Sequence, residues 1–106
     1  MEWLKLFESE SEARMRIKEH KPQLLIVNEK RICLAMHQGK FYAVQDSCTH
    51  HGESLSKGVV NYLGEIVCPW HHYRFQLDSG KASDSSCPDL ITFELKSNES
   101  GFFIAI

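Results

Sequence analysis

Two short boxes, each pairing a cysteine with a histidine, constrain this chain more than any other feature. The first is Cys48-Thr49-His50, followed by His51 and Gly52; the second is Cys68-Pro69-Trp70-His71, followed by His72. Seventeen residues separate His50 from Cys68. Ligands this close in sequence are gathered at one small centre by a tight loop, since a strand spreads them at about 3.3 Å per residue, so each box needs such a loop. Gly52 and Pro69 suit such loops. Two loops facing each other then supply two thiolates and two imidazoles. The chain has four cysteines and six histidines in all, so four of them in paired boxes point to a metal centre.

The length bounds what surrounds that centre. The 106 residues suit a single domain, 1–106. A domain of this size buries a modest core, to which a bound metal adds stability. Twelve basic and 14 acidic residues give a net charge of −2 with no Lys/Arg stripe, which argues against nucleic acid as a partner. The first residues, MEWLKLFESESEA, lack the basic stretch and apolar run of a secretory signal. No run approaches the roughly 18 apolar residues of a membrane span. The expectation is a soluble, cytoplasmic protein with no membrane partner, in which four cysteines as two disulfides are disfavoured.

Strand patterns dominate the rest. Leu24 to Val27 is a short apolar run. Ile32, Leu34 and Met36 alternate with Arg31, Cys33 and Ala35, which predicts a half-buried strand. Gln38-Gly39 turns the chain into Phe41–Val44. Ile91, Phe93 and Leu95 alternate with Thr92, Glu94 and Lys96 as one further strand; 97–101 reads as a turn and 102–106 as a last strand. Ser9 and Glu12 have capping-box spacing, so 9–15 reads as a short helix or an acidic loop. From Asp46 to about Gly80 the chain is rich in His, Cys, Gly and Ser, with short strands at 66–68 and 73–77. The fold class is therefore all-β: a base of about 1–45 and 81–106 with a smaller lobe of about 46–80 inserted.

A tetrahedral zinc site also accepts two Cys and two His. Zinc fingers usually segregate them into a Cys pair and a His pair, whereas each box here is mixed. The spacing and flanks resemble the Rieske iron–sulfur family, through Cys-x-His, seventeen residues and Cys-x-x-His, and through the stretches FYAVQDSCTHHGESLSKG and IVCPWHHYRFQLDSGK. The resemblance implies a β-sandwich base, a cluster-binding lobe and one 2Fe–2S cluster per chain. It implies that Cys48 and Cys68 hold the inner iron and His50 and His71 the outer one. In the family two such histidines replace two thiolates and raise the reduction potential. His51 and His72 would become ligands only in a shifted register. Otherwise they are exposed loop residues or flank the site where a partner docks. Trp70 either covers the cluster from water or offers a partner an apolar contact.

Departures from the family pattern select a subgroup. High-potential members carry an extra cysteine in each box, joined as a disulfide; here those positions hold Glu53 and Trp70. High-potential members also place Ser and Tyr two and four residues after the second histidine, where this chain has Tyr73 and Phe75. The chain is thus similar to the ferredoxins that feed aromatic-ring dioxygenases and to the small Rieske subunits of nitrite reductases. The implied role is one-electron transfer with redox partners, a flavin-type reductase on one side and an oxygenase or nitrite reductase on the other, without catalysis of its own. Cys33 is expected to be a small packing residue and Cys87 a thiol in a polar loop, with a Cys33–Cys87 disulfide left open.

Overall fold

A computed structural model describes residues 2–49, 52–70, 72–84 and 87–106. The strands form three antiparallel sheets. The first contains β1 (Trp3–Phe7), β9 (Leu95–Asn98) and β10 (Gly101–Ala105), in the order β1-β10-β9. The second contains β2 (Gln23–Val27), β3 (Lys30–His37), β4 (Lys40–Gln45) and β8 (Thr92–Phe93), in that order. The third contains β5 (Val59–Val60), β6 (Glu65–Val67) and β7 (Arg74–Gln76).

Local chemistry sets the turns. Asn28 and Glu29 both have positive φ, 50° and 67°, which turns β2 into β3 in two residues. Gln38 and Gly39, at 51° and 77°, do the same between β3 and β4, as the sequence predicts. The Glu19 carboxylate accepts both of their N–H groups, at 2.8 and 2.9 Å. Those N–H groups, Gly39 first, hold the Glu19 carboxyl below its ordinary value. The segment after β1 is a helix, α1 (Glu10–Arg16). The Ser9 hydroxyl accepts the Glu12 N–H at 3.1 Å, with acidic residues in the first turn and basic ones in the last.

Two expectations need correction. β3 is buried on both faces rather than one: residues 32 to 36 are all buried. Ile32, Leu34 and Met36 enter a core with Phe7, Ile17 and Phe102, whereas Cys33 and Ala35 enter a second core with Val44, Leu55 and Phe75. Cys and Ala are small enough to pass for a solvent face in an alternating pattern, yet here they face packed side chains. The segment 91–96 is not one strand. It breaks at Glu94, where β8 ends its pairing with β4 and β9 begins pairing with β10. The Glu94 carbonyl accepts the Ala105 N–H at 2.9 Å at this switch, and Ile91 is left exposed.

The segment before β2 fastens the third sheet to the second. His20 Nδ1 donates to the Val60 carbonyl at 2.6 Å, and the His20 carbonyl accepts the Val60 N–H at 3.3 Å. Glu19, next to it, holds the β3–β4 turn. One short turn thus fixes β5 against the hairpin that forms the centre of the molecule.

Candidate metal centre

The first cysteine loop leaves β4. The Cys48 N–H donates to the Glu53 carbonyl at 2.9 Å, and the Gly52 N–H donates to the Cys48 carbonyl at 2.7 Å. Gly52 sits at φ +75°, a conformation that side chains disfavour. Just upstream, Asp46 is buried, only 2% exposed. Its carboxylate accepts the Ser54 hydroxyl at 2.5 Å and the Ser56 N–H at 2.8 Å, with the Arg31 guanidinium at 3.6 Å. The Asp46 N–H also donates to the Arg31 carbonyl at 3.2 Å, which pins the start of the loop to β3.

The second cysteine loop joins β6 to β7, which pair from Val67↔Arg74 inward. The Cys68 N–H donates to the Tyr73 carbonyl at 2.8 Å. His72 adopts φ 59° and is exposed, as is Trp70 at 53%. The first loop is also tied to the residues before β8, where the Thr49 hydroxyl donates to the Pro88 carbonyl at 2.7 Å.

These loops bring the two cysteines together in one core. Cys48 and Cys68 are 2% and 1% exposed, and their side chains are within hydrogen-bonding reach of each other. Burial pushes the Cys68 thiol up to about 11; the Trp70 backbone N–H acts the other way, and the Cys48 side chain and Glu53 charge add to the rise. A thiol as buried as that of Cys68 is a poor anion on its own, and a metal cation bound to its sulfur is what lets it ionise. The donor set therefore fits a thiolate-bound iron centre. The other two predicted ligands, His50 and His71, lie outside the described residues, as does His51. Among the described residues no three His, Cys, Asp or Glu side chains form a metal-sized group, so these residues contribute the cysteine pair.

The remaining cysteines behave differently. Cys33 lies in the same core and is fully buried, and burial drives its thiol far up, with the Asp46 charge adding to the effect. It is a packing residue, as the sequence predicts. Cys87 is half-buried against that core, and neither it nor Cys33 is in a disulfide. Two supports of the site escape a reading of the sequence. One is Asp46, whose only signal is an aspartate placed eight and ten residues before two serines. The other is Glu65, which accepts the Asn61 amide at 2.7 Å and the Ser83 hydroxyl, with Arg74 at 3.7 Å. Those partners, Ser83 first, hold its carboxyl below the ordinary value.

Comparison with known proteins agrees with this arrangement. The ferredoxin component of an alkene monooxygenase system from Xanthobacter autotrophicus is 30% identical over 70 residues, 66% of this chain. That match spans 57% of the relative, so the chain covers less than two thirds of its length. A chain of the complex of reduced oxygenase and oxidized ferredoxin in carbazole 1,9a-dioxygenase superposes with a TM-score of 0.79. It is 27% identical, and the match covers 96% of this chain and 100% of that one. The ferredoxin of carbazole 1,9a-dioxygenase from Nocardioides aromaticivorans shares the fold, with a TM-score of 0.82 at 19% identity over 99% of this chain and 98% of that one. The model of the Rieske [2Fe-2S] domain matches residues 3–94, and a domain of this family carries one 2Fe–2S cluster. Sequence, fold and family model agree that this chain belongs to the Rieske [2Fe-2S] domain family.

Proposed function

We propose that this chain is a one-electron carrier that takes electrons from a flavin-type reductase and delivers them to an oxygenase. The observation that carries the reading is the pair of buried cysteines, Cys48 and Cys68, set side by side by two loops in a Rieske-family chain. In this reading Cys48 and Cys68 hold the inner iron, and His50 and His71 hold the outer one. When bound, the cluster supplies a centre that gains and loses one electron. The chain's own part is to bind, shield and tune. Leu55, Ile66 and Phe75 pack around the cysteines and exclude water, and the Trp70 N–H donates toward the Cys68 sulfur. The cluster-binding lobe would span about 46–80.

An oxygenase is favoured over a nitrite reductase as acceptor because the alkene monooxygenase relative is a ferredoxin component and the carbazole dioxygenase match is a ferredoxin–oxygenase complex. No helix among the described residues is long and apolar enough to cross a membrane. We place the protein in the cytoplasm, a compartment that keeps thiols such as Cys33 and Cys87 reduced. Electron carriers release their partners quickly, through interfaces on the order of 1,200 Å² or less. Trp70, exposed on the second cysteine loop, is a suitable anchor for one. The test is an iron and acid-labile sulfide assay on the purified protein, followed by anaerobic stopped-flow transfer to a Rieske oxygenase. The reading predicts two irons and two sulfides per chain, and transfer that slows when Trp70 becomes Ala. A zinc-loaded, colourless protein would overturn it.

A further inference from the structure

Cys68 stands between two opposed influences. The Trp70 N–H donates toward its sulfur, and the Glu53 charge acts on the same thiol in the opposite sense. The first loop puts Glu53 there. Ser47 and Ser54 bridge antiparallel at the neck of that loop, and just inside it the Cys48 N–H donates to the Glu53 carbonyl at 2.9 Å. Cys48 and Cys68 share one core, so a side chain carried against the first cysteine lies close to the second. Glu53 is half-buried, and its charge is screened less than one in open solvent.

The first loop treats its two carboxylates differently. Asp46 is compensated: it accepts the Ser54 hydroxyl and the Ser56 N–H, and the Arg31 guanidinium lies at 3.6 Å. Glu53 has no such partners. Among the described residues its side chain enters no ion pair and no hydrogen bond. The fold thus leaves one uncompensated negative charge beside the cysteine pair.

We propose that Glu53 is a tuning residue whose fixed charge holds the reduction potential of the cluster down. The proposal rests on the reading of Cys48 and Cys68 as ligands. Reduction adds one negative charge to the centre, and a carboxylate beside it destabilises the reduced form more than the oxidised one. A lower potential makes a stronger donor, which suits a carrier that must give its electron up. Glu53 acts through space and not through the turn. The bond from Cys48 is to its backbone carbonyl, so replacing the side chain leaves that bond in place.

The test is protein-film voltammetry on the cluster-loaded parent and on Glu53→Gln, Glu53→Ala and Glu53→Lys, with iron per chain measured for each. The midpoint should follow the charge and not the size of the side chain. Gln and Ala should coincide, each favouring electron uptake roughly tenfold over the parent, or about 59 mV. Lys should lie about twice as far from the parent. Raising the salt from about 10 mM to about 1 M should shrink these gaps, because a partly exposed charge is screened. Loaded variants that keep the parent midpoint overturn the proposal and leave the cluster reading standing. So do Gln and Ala variants that differ from each other as much as from the parent, which is the mark of packing. A parent chain that binds no iron overturns both.

Discussion

In the loop that begins at Cys48, the cysteine N–H meets the Glu53 carbonyl at 2.9 Å; in the loop that begins at Cys68, it meets the Tyr73 carbonyl at 2.8 Å. Both bonds run from the cysteine to the residue five positions on. In both loops the residue four positions on has positive φ, Gly52 at 75° and His72 at 59°. The two loops therefore share one turn, and that turn fixes where each sulfur sits. Their anchors differ. The first loop is held from outside by a buried carboxylate, Asp46, and by the Thr49–Pro88 bond. The second is carried at the end of a hairpin whose inner strands bury Ile66 and Phe75, with its own carboxylate, Glu65, at the far end of β6. The same geometry can be imposed by a charge network or by apolar packing, and the two should fail differently.

The comparison breaks most severely where the loops do the same job. Replacing Cys48, His50, Cys68 or His71 with Ala should abolish normal cluster loading, read as iron and sulfide per chain, whereas His51→Ala and His72→Ala should leave it intact. Loss of the cluster in His51→Ala with retention in His50→Ala would move the ligand to the neighbouring residue.

The next effect separates the anchors. Asp46→Ala leaves the Ser54 hydroxyl and the Ser56 N–H without their acceptor. Hydrogen bonds to a charged, buried group matter most, so we expect a loss of about 3 kcal/mol in a denaturant titration. The Arg31 contact adds little, because that guanidinium is 56% exposed. Arg31→Ala should therefore cost under about 1 kcal/mol. Equal losses in the two variants would show that the ion pair, not the hydrogen bonds, holds the first loop.

A smaller effect probes the packing of the second loop. Phe75 is fully buried in the core that contains both cysteines. Its ring offers no hydroxyl to a sulfur, and reduction adds negative charge that such a donor would stabilise. The cluster should therefore sit near the low end of the Rieske range, at about −150 mV. Phe75→Tyr should raise the midpoint by about 40–90 mV if the new hydroxyl reaches a ligand sulfur. Protein-film voltammetry gives both values. A parent midpoint above about +100 mV would show that other donors dominate.

The smallest effect tests the shared turn itself. Gly52→Ala places a side chain at positive φ, with only ordinary contact to Ser47 at 3.7 Å, so its cost is conformational and about 1 kcal/mol. His72→Gly relieves the same conformation in the second loop but adds freedom to the unfolded chain, for a net gain of about 0.5 kcal/mol. Thermal denaturation of the two variants should move in opposite directions.

Much of this was legible in the sequence because its signals are local. The two boxes, the run at 24–27, the turn at Gln38-Gly39 and the Ser9 cap each lie within a few residues. What stayed hidden depends on distant partners. The alternation at 31–36 predicts a single buried face, because nothing in an alternating strand tells whether a second core covers the other. The alternation at 91–96 continues straight through Glu94, although the chain changes sheets there. Thr49 meets a carbonyl 39 residues away, and no spacing rule finds such a bond. The histidines that the boxes predict as ligands lie outside the described residues, so their role rests on the motif and the family.

That role is the claim to test most directly. Electron–nuclear double resonance on the reduced, fully loaded protein reads nitrogen bound to iron. The account predicts couplings from two imidazole nitrogens, together with the low average g of a cluster ligated by two histidines. A protein carrying two irons and two sulfides per chain, but showing no nitrogen coupling, would contradict it.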